Sequence, residues 1–285
     1  MSSSLVKQRP FSRYLCLEFI LGALLTGTMC LLVMTSDWVF GDSASQINLM
    51  SRLAAPFASG EHWFGTDPLG RDILARVISG GAVSLKVGLF SVFGAVVIGV
   101  AMGLVSGYFG GVWDKFVMRF ADVQLALPFI LLAITFMAIV GGGLTNMILL
   151  LILSQWVQYA RLVRGSVLSL RDREFIQSAK AIGVSHRNIL LRHLLPNLIG
   201  PVIVLMTLNI ANNILLESSL TFLGLGVDPL TPSWGGMLAD GRTYIQTAWW
   251  VTVFPGLAIL LTVLGLNLLG DWLRDTLDPT GRTSR

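Results

Sequence analysis

The 285-residue sequence predicts an all-α, polytopic membrane protein with six transmembrane helices. Three observations carry that expectation. Hydrophobic residues make up 54% of the chain and charged residues 13%, where an ordinary soluble domain carries about 25% charge. Six apolar stretches are long enough, or nearly so, to cross a hydrocarbon core of about 30 Å. The basic residues also fall very unequally on the two sets of connections between those stretches. In lipid, each segment must satisfy its own backbone polar groups, which favours helices. The alternating pattern of a membrane β-barrel is absent.

The apolar stretches lie at residues 15–34, 84–107, 123–140, 147–163, 198–216 and 250–269. Lys7, Arg9 and Arg13 precede the first, as they would a secretory signal peptide. Its run is longer than a usual signal core and no small-x-small site closes it, so it reads as an uncleaved helix. Cys16 and Cys30 lie in this stretch, about 21 Å apart along one helix and too far apart to pair. Trp38, Trp249, Trp250 and Trp272 fall at predicted helix ends, where interfacial anchors are enriched.

Placing the N-terminus inside puts Lys7, Arg9, Arg13, Lys115, Arg119, Arg161, Arg164, Arg171, Arg173, Lys180, Arg187, Arg192, Arg274, Arg282 and Arg285 on the inner side. Only Arg52, Arg71, Arg76, Lys86 and Arg242 remain outside. The positive-inside rule therefore predicts that both termini are cytoplasmic. The net charge of +4 is a topology signal rather than a nucleic-acid footprint. Two connections are long, one outside over residues 35–83 and one inside over residues 164–197. The chain divides accordingly into an N-terminal helix with its external loop, 1–83, and a core transmembrane domain, 84–285.

The chain lacks the usual chemistry of a soluble enzyme. Its lysines, Lys7, Lys86, Lys115 and Lys180, follow Val6, Leu85, Asp114 and Ala179, so no GxxxxGK[ST] phosphate loop is present. His62, His186 and His193 have no metal-ligand spacing, and no GxSxG elbow occurs. We expect no catalytic residue, no metal site and no cofactor on this chain. Any work it performs draws energy from a partner or an ion gradient.

The inner loop runs SLRDREFIQSAKAIGVSHRNILLRHLLPN from Ser169. Ser169 and Asp172 have the spacing of a capping box. A helix over residues 172–182, about 16 Å long, would place Phe175, Ala179 and Ile182 on one face and Arg173, Gln177 and Lys180 on the other. Gly183 suits a left-handed cap. Ser185 then caps a second helix carrying Ile189, Leu190, Leu191, Leu194 and Leu195, and Pro196 ends it or starts the fifth span. The pattern fits two readings: helices lying on lipid headgroups, or a knob inserted into a partner's groove.

Polar and small residues inside the spans are also patterned. Ser91, Ala95, Gly99, Gly103 and Gly107 recur every four residues, a small-residue ridge that packs within the chain or against a second subunit. Asn209, Asn213 and Glu217 share one face of the fifth span, as pathway-lining groups or as helix–helix hydrogen-bonding groups. Gln155 and Gln158 in the fourth span lie near Arg161. In GTDPLGRD, Gly65 and Gly70 permit turns, and Asp67 and Asp72 are placed to accept backbone bonds or to pair with Arg71.

The inner loop resembles the EAA loop of permease subunits of bacterial ABC importers: EAA, three residues, Gly, nine residues, Ile, one residue, Leu-Pro. Gly183, Leu195, Pro196 and Ala179 fall on their positions. Gln177 replaces the Glu, Ser178 the first Ala and His193 the Ile, while Glu174 stands where the peptide branch carries its Glu. GTDPLGRD at 65–72 (Gly65, Thr66, Asp67, Gly70, Arg71 and Asp72 among them), FLGLGVDPLTPSWGGML at 222–238 and PGLAILLTVLGLNLLGDWLRDTLDP at 255–279 resemble signatures of the second permease of dipeptide, oligopeptide and nickel importers. The resemblance implies the type I ABC importer permease fold and a place in the bacterial inner membrane. It implies transport of di- or oligopeptides, or a related solute such as nickel, by alternating access. Implied partners are a second homologous permease, two ATPase subunits that use ATP and Mg, and an external solute-binding protein. The short inner-loop helix would then be the coupling helix, with ATPase-coupling residues Glu174, Phe175, Gln177, Ser178, Ala179, Gly183, Leu195 and Pro196. Two other transport classes compete: a channel using the glycines of 223–227 as a re-entrant filter, and an ion-coupled secondary transporter. Against the channel, Pro229 and Pro232 continue that segment as a surface turn. Against the secondary transporter, no matched pair of broken helices suggests inverted repeats.

Overall fold

The computed structural model describes residues 11–277 apart from Ser59, Glu61 and Pro229, with side chains from residue 17 except those of Asp37 and Asp42. Expectations resting on Lys7, Arg9, Arg282, Arg285, Pro229, both chain ends, the last two residues of the closing motif, and the side chains of Arg13 and Cys16 lie outside the described residues. The helices in order are α1 Phe11–Met34, α2 Ser36–Val39, α3 Ile73–Phe109, α4 Gly111–Leu125, α5 Phe129–Val140, α6 Leu144–Leu170, α7 Glu174–Ala181, α8 His186–Asn188, α9 Leu195–Phe222, α10 Trp234–Gly241 and α11 Trp250–Leu277. Among the described residues the only strand-like pairing is an isolated antiparallel bridge between Thr66 and Asp72.

Among the described residues, five helical units are long and apolar enough to span a bilayer, Leu17–Met34, Ile73–Phe109, Leu144–Leu170, His186–Phe222 and Trp250–Leu277, and the bent pair Gly111–Leu125 and Phe129–Val140 makes a sixth when taken as one span. The third span expected at 123–140 is not one helix. It is replaced by α4 and α5, which meet at 91°. Pro128 is the physical reason. It has no N–H to continue the ladder and disfavours helical backbone at Leu127, and its own ψ of 132° is extended. The 12 residues of α5 reach about 18 Å, short of a hydrocarbon core.

The other spans run past their expected ends. α3 starts at Ile73 rather than 84 because Asp72 caps it, accepting from the Ala75 N–H at 2.8 Å. An unbroken α3 of 37 residues, about 55 Å long, therefore crosses the expected division at 83/84. α6 extends from Leu144 to Leu170, so Arg164 and Ser169 belong to that helix and not to a loop. Between α8 and α9, Ile189–Leu194 forms a π-helical turn that closes with a bond from Leu195 N–H to the Leu190 carbonyl. Pro196 lacks the N–H that would serve the Arg192 carbonyl, and the wider turn absorbs the misfit.

Glycines set the closest helix contacts. A Cβ on Gly99 would meet the Trp156 carbonyl oxygen at 2.5 Å, one on Gly103 the Ala160 carbonyl oxygen at 2.6 Å, and one on Gly107 the Val167 Cβ at 2.9 Å. The small-residue ridge is thus the seam between α3 and α6, within one chain. α1 crosses α11 where Gly22 and Gly265 face each other, and Phe19 packs on Trp272 with ring centroids 4.5 Å apart. α10 lies over the ends of α3, α9 and α11. Trp234 on α10 is fully buried and donates its indole N–H to the Val77 carbonyl at 2.7 Å. Trp250 departs from its expected interfacial role: it is buried and donates to the Thr66 carbonyl.

Candidate functional site

At one end of the bundle, α7 stands on the surface between α6 and α8. The expected capping box is not formed. Ser169 sits in the last turn of α6 and donates to the Ser166 carbonyl, and the residue capping α7 is Arg173, with no side-chain bond. α7 has eight residues, about 12 Å, rather than eleven. Its inward face also differs from the expected one. Ile176 and Ala179 are buried, whereas Phe175 is 42% and Ile182 80% exposed. With helical spacing, residues 176 and 179 share a face that 175 and 182 leave. Ile176 and Ala179 enter a cluster with Leu104 and Tyr108 of α3, Val163 and Val167 of α6, Ile189, Leu194, and Leu198 and Val202 of α9. Glu174, Gln177 and Ser178 are exposed.

Gly183 ends the helix at φ +79°. Its N–H bonds the Lys180 carbonyl and the Val184 N–H bonds the Ala179 carbonyl, both at 3.0 Å. That pair of bonds is a Schellman motif, and it needs the left-handed backbone that Gly adopts freely. Ser185 then caps α8, accepting from the Asn188 N–H. Leu195 and Pro196 open α9.

Nearby polar side chains bind this surface unit to the long helices. Arg171 Nη1 donates to the Gly107 carbonyl at 3.1 Å. Tyr108 Oη lies 2.8 Å from His186 Nδ1. Arg164 forms a two-pronged pair with Asp114, at 2.5 and 2.7 Å, and Ser106 bonds the same carboxylate.

In the middle of the bundle, Asn209, Asn213 and Glu217 are all buried on α9. Asn209 Nδ2 donates to Tyr159 Oη at 2.9 Å and to Gln158 Oε1 at 3.3 Å. Asn213 donates to Ser91 Oγ at 2.6 Å and accepts from Gln155 Nε2. Glu217 accepts from Ser84 Oγ at 2.8 Å and Thr221 Oγ1 at 3.0 Å. Each residue therefore bonds α9 to α3, to α6 or to its own next turn. Arg161, by contrast, reaches outward to Asp122 at 2.6 Å.

At the opposite end from α7, GTDPLGRD folds into a tight turn. Gly65 and Gly70 have φ of +76° and +73°. A Cβ on Gly70 would lie 1.7 Å from the Asn48 carbonyl oxygen. Asp67 Oδ1 accepts from the backbone N–H groups of Leu69 and Arg71. Its Oδ2 accepts from Arg71 Nε at 2.6 Å and Arg76 Nη1 at 2.7 Å. Asp240 of α10 faces the same two arginines at 3.5 and 3.6 Å. Burial pushes its carboxyl above the ordinary range, against the pull of Arg71. Thr66 bonds the Ser51 carbonyl, and His62 Nδ1 lies 2.9 Å from Asp72.

Residues 95–282 match the binding-protein-dependent transport system inner membrane component family. The chain belongs to that family. The dipeptide transport system permease protein DppC of Alkalihalophilus pseudofirmus is 44% identical over 91% of this chain and 85% of its own length. The glutathione transport system permease protein GsiD of Escherichia coli is 49% identical over 77% of this chain and 72% of its own. Among solved structures, a chain of the MetNI methionine ABC transporter in an inward-facing conformation shares the fold. Its TM-score is 0.57 at 19% identity, covering 71% of this chain and 96% of that one. This permease is thus the membrane subunit of an ATP-driven ABC importer; partner ATPases hydrolyse the nucleotide, and the chain is not itself an enzyme. The channel and secondary-transporter readings give way to it. Gly224, which the rival channel reading would place in a re-entrant filter, ends α9 at φ +81°.

Several residues that organise the permease's surface unit were not singled out from sequence. Ile176 was visible as an apolar residue three positions before Ala179, the spacing of one helix face. Tyr108 pairs with His186 across 78 residues, and Asp114 with Arg164 across 50; no local pattern announces either.

Proposed function

We propose that the permease moves di- or oligopeptides, or a related small solute such as nickel, into the cytoplasm by alternating access. It does so with a second homologous permease, two ATPase subunits and an external solute-binding protein. The names of the dipeptide and glutathione relatives support the peptide-like substrate class. The distribution of Lys and Arg supports both termini, and α7, on the cytoplasmic side, with GTDPLGRD and α10 outside.

In this reading α7 is the coupling helix. The observation that carries it is the pairing of a firmly anchored inner face with an unsatisfied outer one. Ile176 and Ala179 root α7 in the α3–α6–α9 cluster, while Phe175 and Ile182 present large apolar side chains to the surroundings. Apolar anchors of this kind, ringed by Glu174, Gln177 and Ser178, suit a groove on an ATPase. Gly183 sets the exit angle, and Leu195 and Pro196 return the chain to the membrane. ATP-driven closure of the ATPase pair draws the coupling helices together, and the bundle opens outward. Solute shifts this equilibrium only through its different affinity for the two states.

The buried row of Asn209, Asn213 and Glu217 acts as a seam rather than a water-lined route, since each of the three bonds side chains of α3, α6 or α9 itself. The GTDPLGRD turn is a structured external element next to α3.

The test of the coupling reading is a pair of variants. Phe175→Asp with Ile182→Asp should fold, because both positions are exposed, yet lose co-purifying ATPase. Gly183→Val should strain the cap by about 1–3 kcal/mol and depress uptake more than solute capture. Stoichiometric ATPase and unchanged uptake in the double aspartate variant would overturn it.

A further inference from the structure

Three attachments from the inner loop converge on two neighbouring residues at the end of α3. Arg171 donates to the Gly107 carbonyl at 3.1 Å. His186 Nδ1 bonds Tyr108 Oη at 2.8 Å. Lys180 Nζ, on α7 itself, sits 5.4 Å from the centre of the Tyr108 ring, within cation–π range. The Tyr108 side chain is thus bracketed by residues on both sides of the Gly183 cap and lies over the apolar cluster that holds Ile176 and Ala179.

What Tyr108 is attached to matters as much as what grips it. α3 continues without a break from Tyr108 to Ile73, about 55 Å. At its far end it is capped by Asp72 and carries Arg76, which bonds Asp67 and faces Asp240 of α10. Along the way, Gly99, Gly103 and Gly107 press α3 against α6 at backbone contact distance, so the pair moves as one body rather than as two sliding rods. A displacement of α7 therefore has a direct mechanical route to the outer charge cluster, and Tyr108 is a polar contact at which it enters, beside the apolar packing of Ile176 and Ala179.

We propose that Tyr108 is a positioning residue that, through His186 and Lys180, transmits the movement of the coupling helix to the α3–α6 body. The proposal rests on the coupling role given to α7 above. A purely structural tyrosine would contribute stability alone; a transmitting one sets how much nucleotide at the ATPase changes the far end of α3.

The experiment uses the complete importer in proteoliposomes, with both native cysteines of this chain replaced by serine and a reporter at Lys86→Cys, an exposed position on α3. The readout is the rate of labelling by a hydrophilic maleimide with and without a non-hydrolysable ATP analogue. With Tyr108 intact, nucleotide changes that rate. Tyr108→Phe keeps the ring and removes the hydroxyl. It should shrink the change by about three- to tenfold, the scale of one lost hydrogen bond, while ATPase content and basal hydrolysis are retained. His186→Gln, which keeps an acceptor, should retain the response. His186→Leu should match Tyr108→Phe, and the double variant should fall no further. A full nucleotide response in Tyr108→Phe, fully additive losses in the double variant, or no response with Tyr108 intact would overturn the proposal. A cross-link from Gln177→Cys to the ATPase separates the two readings. Its absence removes the coupling role of α7, whereas its presence beside a full response in Tyr108→Phe removes the role of Tyr108 alone.

Discussion

Asp67 and Asp240 share Arg71 and Arg76 yet sit in opposite circumstances. Asp67 is buried and its carboxylate accepts four hydrogen bonds, two from backbone and two from guanidinium groups. Asp67→Asn leaves buried arginines short of their counter-charge and should lower stability by about 3 kcal/mol or more, seen as a drop in the unfolding midpoint of the purified permease. Asp240 is 43% exposed at its side chain, and its contacts to the arginines are long. Because burial holds its carboxyl above the ordinary value of 3.8, the folded state binds this proton more tightly than the unfolded chain. Its contribution to stability therefore grows as pH falls through the raised value and is lost as pH rises again. Asp240→Asn removes a charge the fold disfavours, so it should leave stability at pH 7 unchanged or slightly raised and should flatten the pH dependence of the unfolding midpoint in the acidic range. A loss equal to that of Asp67→Asn would show that both carboxylates are structural partners of the same kind.

At the scale of elements, the α3–α6 seam and the α4–α5 break are the two features that shape the bundle. The recurrence of small residues every four positions was legible on α3, but the sequence left open whether they faced this chain or another. The partner is α6, whose backbone at Trp156 and Ala160 occupies the space a side chain would need. Gly103→Val should cost about 1–3 kcal/mol by overpacking. Gly165 on α6 is a helical glycine with nothing within 4 Å of an added Cβ. Gly165→Ala should raise stability by roughly 0.5–1 kcal/mol through backbone entropy. Thermal unfolding of the two variants side by side checks the seam. On α9, Asn213→Leu removes two hydrogen bonds, to Ser91 and from Gln155, each worth roughly 0.6 kcal/mol on average in membrane proteins, so assembly should persist. A cysteine placed by Asn209→Cys or Asn213→Cys should stay unreactive toward hydrophilic reagents with or without nucleotide. State-dependent labelling there would return these positions to the pathway.

For the whole molecule, orientation is the quantity from which the functional reading starts. An impermeant reagent applied to intact cells should label Leu230→Cys, exposed beyond the end of α9, and leave Ser178→Cys untouched until the membrane is opened. The reverse pattern would invert the topology and detach α7 from any cytoplasmic ATPase. With this orientation, the α3–α6 body spans from the surface that carries α7 to the surface built by GTDPLGRD and α10. Movement at one face is then available at the other without local unfolding between them.

Composition, apolar run length and the spacing of glycine and proline determined by themselves that the chain is a helical membrane protein, where Gly183 and Ser185 would cap, and that GTDPLGRD would turn at its glycines. These are consequences of local chemistry: hydrocarbon burial, left-handed backbone and capping bonds act within a few residues. The family resemblance carried by the loop spacing was legible for the same reason. Only the tertiary structure decided which face of α7 is inward, because Ile176 and Phe175 are equally apolar and only the cluster from α3, α6 and α9 distinguishes them. It also decided that Trp250 is buried and that Tyr108 meets His186. Each of those outcomes depends on residues far apart in the chain being brought within a few ångströms, which no local pattern encodes.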